Sequence, residues 1–443
     1  MSSVFAFPSC ARAALILVAL QFASRSGAEA PSLSSEPLTL ESAQRQAVAR
    51  SSLLAAQDSA ITASREMAVA AGQLPDPVLR LGIDNLPTDG ADRFSIGRDF
   101  MTMRRIGVVQ ELTGGQKRQL RSARLELDAA KTLGERNAAI ANIQRDTAIA
   151  WLDRYYAEAM RAVVSTQLTH AKSEIEASES AYRAGRGTSA DILAAYSAQV
   201  LIEDRGSELA RRVSGAKSNL ARWLGDAAQA PLAGRPPLDS VRLDGHAIDD
   251  QIGHHPQLAL LATQEDIART DIQLAEANKK SDWTVELSYA QRGSSYSNMM
   301  SVGLSVPLQW DQPNRQNREV YAKQALLDQA RAQKEDALRM HIAEARAMLI
   351  DWQSGRERQG RLQRELIPLA SERTEALLGG YRAGKLGLTE VLAGRRNELD
   401  VRLQALQLEA DTARLWAQLN FLIPDDQVTS PHSRYHFQRK DVK

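Results

Sequence analysis

The sequence predicts a mainly α-helical chain that carries two short pairs of β-strands and is built as two copies of one unit. Three observations lead there. AYRAGRGTSADIL, Ala181 to Leu193, returns as GYRAGKLGLTEVL, Gly380 to Leu392, and the register holds without a gap until Leu220 lies over Leu419. Helical periodicity with few breakers fills most of both halves. At matching places it gives way to brief runs in which apolar and polar residues alternate. Bulk properties agree. Of 443 residues only 5% are aromatic and 25% are charged, which fits Ala-rich rods better than one large globular core. The net charge is +1, so no basic surface points to nucleic acid.

Residues 1–30 read as a secretory signal peptide. Arg12 precedes an apolar run from Ala13 to Ala23, and Ala28-Glu29-Ala30 supplies an A-x-A cleavage pattern. The single cysteine, Cys10, leaves with the signal and cannot carry a lipid on the mature chain. No later run approaches 18 apolar residues, so no helix is expected to span a membrane. The mature chain divides into a first repeat, 31–230, a linker, 231–247, a second repeat, 248–424, and a polar C-terminal tail, 425–443. The linker opens with Pro231 and closes its breaker run at Pro236-Pro237.

The first repeat begins with helical periodicity from about Leu40 to Ala71. A strand pair follows at about 78–111: Val78 to Asp84, where Leu79, Leu81 and Ile83 oppose Arg80 and Asp84, and Arg104 to Glu111. The helical hairpin at about 116–224 consists of a rod from Gln116 to Ala181, the turn, and a helix from Ser189 to Leu224. At 1.5 Å per residue the rod is roughly 100 Å long, and with no globular core to wrap it must lie against other helices.

The second repeat runs the same way: helix from Ile248 to Lys279, strand pair at about 283–308, and helical hairpin at about 315–422, with rods from Arg315 to Leu378 and Leu388 to Leu422. In the strand pair Trp283, Val285, Leu287 and Tyr289 face one way with Val302, Leu304, Val306 and Leu308. Thr284, Glu286, Ser288, Ser301, Gly303 and Ser305 face the other.

A plain coiled-coil filament accounts for the rods but not for the strands. Strands of this length, apolar on one face and with Trp283, Tyr289 and Trp310 near the ends, match the signature of outer-membrane barrels. Period two alone also fits a half-buried soluble hairpin. Counting narrows the choice, because about eight strands are needed before a barrel interior fills, and an open sheet in lipid leaves its edges unpaired at several kcal/mol per group. If these strands lie in a membrane, several chains share one barrel. Three chains give twelve strands, an even number as bacterial barrels require.

The signal peptide, the duplicated halves, the strand pairs and the YRAG turns together resemble the TolC-like outer membrane efflux family. Within it the sequence is most similar to the heavy-metal branch of cobalt-zinc-cadmium or copper-silver type. The match is carried by QLPDP (Gln73 to Pro77), MTMRRIGVVQE (Met101 to Glu111), VGLSVPL (Val302 to Leu308), YRAGKLGLTEVL (Tyr381 to Leu392) and RLWAQLNFLIP (Arg414 to Pro424). The resemblance implies a homotrimer in the Gram-negative outer membrane. Its 12-stranded barrel would be continuous with a long periplasmic α-helical barrel. It further implies the passive exit duct of a tripartite pump for heavy-metal cations, joined by a periplasmic adaptor (membrane fusion) protein to a proton-driven inner-membrane metal transporter.

On that resemblance the turns are the periplasmic tips that meet the adaptor: Arg183, Ala184, Gly185, Arg186 and Gly187, with Arg382, Ala383, Gly384, Lys385, Leu386 and Gly387. From the residues alone they are helix–turn–helix corners with glycine C-caps at Gly185 and Gly384. Asp191, Glu390 and Tyr381 stand near the aperture. In a trimer each acid becomes three carboxylates around a narrowing bore, which holds cations; each also suits the N-terminus of its own helix. Two departures from the family pattern loosen the charge constraint there: Ala393 at a second acidic position, and Leu386 where the family carries arginine. The lipid-facing set is Leu79, Leu81, Ile83, Trp283, Val285, Leu287, Tyr289, Val302, Leu304, Val306 and Leu308.

Metal chemistry within the chain finds little support. Met101, Met103, Met299 and Met300 offer thioethers suited to soft cations, but methionines at strand ends equally fill apolar gaps. His254-His255, and His432 with His436, lack companions at ligand spacing, so no metal site and no cofactor are expected. No phosphate loop, HExxH or GxSxG pattern is present, and an enzyme is not expected. Alternative readings keep the architecture and change the cargo to drugs or a secreted polypeptide, or make the chain a periplasmic coiled-coil adaptor. The adaptor reading expects one helical hairpin flanked by β-domains, not two hairpins with strand pairs between helices.

Overall fold

The computed structural model describes residues 37–243, 245 and 247–424. The expected signal peptide, Cys10, His432, His436 and the tail 425–443 lie outside the described residues. The elements are α1 (Leu40–Arg50), α2 (Ser52–Ala71), β1 (Val78–Asp84), β2 (Met103–Leu112), α3 (Gly115–Arg183), α4 (Ser189–Leu224), α5 (Ile248–Ile252), α6 (Pro256–Asn278), β3 (Trp283–Gln291), β4 (Met299–Ser305), α7 (Gln316–Arg361), α8 (Ile367–Arg382) and α9 (Leu388–Asn420). A short 3-10 turn, Gly225–Gln229, follows α4, and a π turn, Leu362–Leu366, joins α7 to α8.

Three expected helices are interrupted, each by a nameable residue. The first breaks at Ser51, whose extended backbone ends α1 and whose hydroxyl accepts the Leu54 N–H at 3.4 Å to cap α2. The helix expected from Ile248 breaks before Pro256, which stands at the start of α6 and pushes the residue ahead of it out of helical geometry. The long second rod widens into the π turn because Pro368 has no N–H to give and its ring crowds the carbonyl four residues back.

Two rods, α3 and the α7–α8 pair, run the length of the molecule. Beside the sheet the order of neighbours is α2, α3, α6, α7; toward the turns it is α4, α3, α9 and then α7–α8. The molecule is therefore four helices wide at both levels, and no rod stands alone. Where the two sets meet, Trp151, Leu152 and Tyr156 of α3 pack with Leu220, Leu224, Ile252, Trp352, Trp416 and Leu419. Loop backbone is strapped to this girdle. Trp151 Nε1 donates to the Leu38 carbonyl at 3.0 Å, and Trp416 Nε1 to that of Ser240 at 2.8 Å. Smaller apolar clusters lie closer to the turns: Met160, Val164, Leu209 and Leu399, then Ile175, Ala195, Leu388 and Val391.

The strands form one antiparallel sheet in the order β1-β2-β3-β4, with β1 and β4 as open edges. One boundary corrects the sequence reading. β4 ends at Ser305, so Val306 and Leu308 are exposed but lie beyond the strand. Pro307 has no N–H to offer a ladder, and its carbonyl instead accepts from the Ser281 hydroxyl at 2.5 Å. Among the described residues no helix is long and apolar enough to cross a membrane.

Candidate functional site

The strand register assembles one continuous apolar face. Leu79, Val108, Leu287 and Val302 lie in one row across the four strands, and Leu81, Ile106, Tyr289 and Met300 in the row two residues on. All eight are exposed, Leu81 at 71% and Val302 at 76%. Leu304 beside the half-buried Val285, Trp283 beside Leu112, and Ile83 extend the face at its ends. The reverse face is polar and internally paired: Arg80 reaches Glu286 at 3.2 Å and Arg105 reaches Asp84 at 2.7 Å. Charge is satisfied on one side while apolar surface is left open on the other.

The expected lipid-facing residues that lie in strands do share this face. Ile106, Val108, Leu112 and Met300 belong to it as well and were missed. In MRRIGVVQEL the pattern is blurred by Val109 on the polar side and by Arg104 and Gln110 on the apolar side, so alternation is visible only around Gly107. The methionines do not converge. Met299 and Met300 are consecutive in β4 and leave on opposite faces, Met103 opens β2, and Met101 lies in the preceding loop.

At the far ends of the rods the two turns have the same backbone. Gly185 N–H donates to the Tyr182 carbonyl and Arg186 N–H to that of Ala181, each at 2.9 Å. Gly384 and Lys385 repeat this to Tyr381 and Gly380, again at 2.9 Å. This paired closure needs a left-handed residue after the helix, and glycine supplies it with φ of 73° and 70°. The structure gathers Arg183 to Arg186 in one exposed turn and Arg382 to Gly387 in the other; Gly187 and Tyr381 are half-buried. Tyr381 packs on the apolar cluster of Ile175, Leu388 and Val391, which links the two hairpins at this end.

The two acids next to the turns differ in surroundings. The Asp191 carboxylate accepts from Thr188 N–H at 2.9 Å and from its hydroxyl at 2.7 Å, while Thr188 Oγ1 accepts the Asp191 N–H at 3.2 Å, a complete capping box. Glu390 is exposed, its helix has no side-chain cap, and its carboxylate folds back beside Gly387. Farther up, Arg395 bridges Glu174 at 3.2 Å, Glu398 at 3.6 Å and Glu375 at 3.9 Å. Burial pushes the Glu174 carboxyl up, and Arg395 works against that shift.

The histidines have structural employment. His254 Nδ1 lies 3.0 Å from the Asp250 carbonyl, and His255 accepts the Gln257 N–H to cap α6. Among the described residues no group of three or more His, Cys, Asp or Glu side chains is placed to hold a metal ion.

No family model matches this sequence, and no curated protein matches it. Solved structures do share the fold. The outer-membrane channel OprN aligns over 87% of this chain and 90% of its own, at 16% identity and a TM-score of 0.72. CusC, studied for conformational changes in folding and transmembrane channel formation, aligns over 87% and 92%, at 14% identity and a TM-score of 0.74. The outer membrane protein VceC from Vibrio cholerae aligns over 86% and 95%, at 16% identity and a TM-score of 0.70. At such identities the likeness is one of fold. It is a fold described in channels and an outer membrane protein.

Proposed function

We propose that three copies of this chain form a passive outer-membrane duct, the exit channel of a tripartite efflux pump for heavy-metal cations. The observation that carries the reading is the open sheet. Four strands present two full rows of exposed apolar side chains, with both edges unpaired, at one end of helical rods that finish in two exposed turns. Such a sheet is costly in water as an exposed patch and costly in lipid as an open edge. Joining three sheets edge to edge as a twelve-stranded barrel removes both costs. The outermost helices also carry exposed apolar residues, Leu193, Tyr196 and Val200 on α4 and Ile350 and Leu369 on α7–α8, suited to contact between copies.

The two halves, alike in element order, act as copies of one unit. The barrel sits in the Gram-negative outer membrane and the rods form the periplasmic tunnel. The turns Arg183 to Gly187 and Arg382 to Gly387 dock the periplasmic adaptor, which joins the duct to a proton-driven inner-membrane transporter. Energy and substrate choice belong to those partners. Glu390 with Tyr381 is the better aperture candidate; the Asp191 carboxylate is committed to its own helix. The metal cargo rests on the sequence resemblance.

The test combines assembly and cargo. Purified protein should require detergent, run as a trimer and conduct ions in planar bilayers; recovery of native protein in aqueous buffer without detergent would sink the barrel. A deletion strain should lose tolerance to zinc, cobalt, cadmium, copper or silver. Unchanged metal tolerance with lost tolerance to an organic toxin would replace the cargo and keep the duct.

A further inference from the structure

The two turns share one backbone, so whatever distinguishes them lies in side chains. The main difference is a reciprocal exchange. In the first turn Ala181 lies in the last turn of α3 and Gly187 follows the corner; a Cβ on Gly187 would lie 3.3 Å from that of Ala181, tighter than most such contacts. In the second turn the small residue has moved to the other side: Gly380 lies in the last turn of α8 and Leu386 follows the corner. The Leu386 Cδ1 lies 2.6 Å from where a Cβ on Gly380 would stand. Each turn admits one side chain at this crossing, and the second fills it with a leucine that remains 38% exposed.

The surroundings differ in the same sense. In the first turn Arg183 is 3.7 Å from Glu179 and Thr188 is consumed by its capping box. In the second turn Arg382 and Lys385 are exposed and have no ion pair among the described residues, and α9 has no side-chain cap. The second turn thus offers an apolar knob held on its own helix, flanked by two open cations. The first offers bare backbone at Gly187 beside a single open cation, Arg186.

We infer that the two turns are not interchangeable, and that Leu386, seated on Gly380, is the specificity-determining residue by which an adaptor with an acidic surface and an apolar socket takes the second turn in preference to the first. The inference rests on the duct reading above. Two exchanges test it. Gly380→Ala with Leu386→Gly gives the second turn the side chains of the first; Ala181→Gly with Gly187→Leu does the reverse. Each variant is placed in the deletion strain and scored for tolerance to whichever metal or organic toxin that strain has lost, with trimer content and bilayer conductance measured in parallel.

The expected result is that G380A/L386G loses most of the tolerance wild type restores while trimers and conductance persist. Leu386→Met should keep tolerance, and A181G/G187L should lose clearly less of it than G380A/L386G does. Unchanged tolerance in G380A/L386G overturns the inference, as does equal loss from both exchanges. Loss accompanied by loss of trimers also overturns it, since Leu386 is then a folding residue. A deletion strain with unchanged tolerance to every compound overturns the duct reading and this inference with it.

Discussion

The imidazole of His255 stacks on that of His341, with ring centroids 4.4 Å apart and planes inclined by 26°. The contact ties the start of α6 to α7, and His341 Nε2 lies 3.1 Å from the Gln257 side-chain oxygen beside it. Burial, and then the neighbouring His341, pull the His255 pKa from 6.5 down to about 4. The unfolded chain binds this proton at higher pH than the folded one does, so stability falls as pH drops from about 6.5 to about 4 and levels off below. The effect is worth roughly 1–3 kcal/mol. Replacing His255 with asparagine, which keeps a capping oxygen, should flatten the pH dependence of thermal unfolding in that window. An unchanged slope would assign the dependence to another group.

Glu265 of α6 is buried and receives Arg269 at 2.5 Å, Arg331 at 3.2 Å and Lys334. The hydrogen bond from Lys334, followed by that from Arg331, outweighs burial and holds the carboxyl at about 2. Its contribution is present above the ordinary carboxylate range and is lost as pH falls toward 2. Glu265→Gln keeps the shape and removes the charge shared by three cations. Because the three cations are half exposed and Arg269 and Arg331 keep Asp266 and Asp328, it should cost about 1–3 kcal/mol, read as a lower unfolding temperature and earlier proteolysis between α6 and α7. A stability matching wild type would mean that water replaces the carboxylate.

Ser301 and Val302 are consecutive in β4 and lie on opposite faces. If Val302 meets hydrocarbon, Val302→Arg should impair assembly by about 2–4 kcal/mol near mid-membrane, seen as a reduced folded fraction in the outer membrane. Ser301→Arg on the polar face should assemble normally. Equal behaviour of the pair would contradict a lipid-facing assignment.

Asp191 and Glu390 occupy matching positions but should respond differently. Asp191→Ala removes a capping box and should cost about 1 kcal/mol of helix stability, with cation selectivity unchanged in planar bilayers. Glu390→Gln should leave stability alone and, on the duct reading, reduce cation over anion selectivity, because it neutralises an exposed carboxylate that a trimer would bring to the aperture. Selectivity that follows Asp191 instead would reverse the assignment.

Most of the architecture was legible because it rests on local pattern. Val78 to Asp84 and Ser189 to Leu224 coincide with their elements, since alternation and capping residues are read from neighbours in the chain. The breaks at Ser51 and before Pro256 were also locally coded, yet continuous apolar periodicity on both sides concealed them. The joint behaviour of distant residues was not legible. Nothing in the sequence brings His341 to His255, or sets Ile106 and Val108 in rows with Tyr289 and Leu287. The seating of Leu386 on Gly380 was hidden for another reason: aligned copies display the exchange, but only the folded turn brings its two halves into contact.

The π turn at Leu362–Leu366 fits one residue more into a single turn than an α-helix does. One residue is about 100° of rotation, so everything from Ile367 to the turn at Gly384 keeps its azimuth because the wide turn takes up that extra residue. Buried Thr374 lies beside Gly394 of α9 only because the count is right. Deleting one residue between 362 and 366 would let the rod run on as plain α-helix with Ile367 onward still on its seam, whereas deleting one within α7 would turn everything up to the next loop or turn by about 100°. Between Arg361 and Ile367 the rod can change length without changing which face it shows α9.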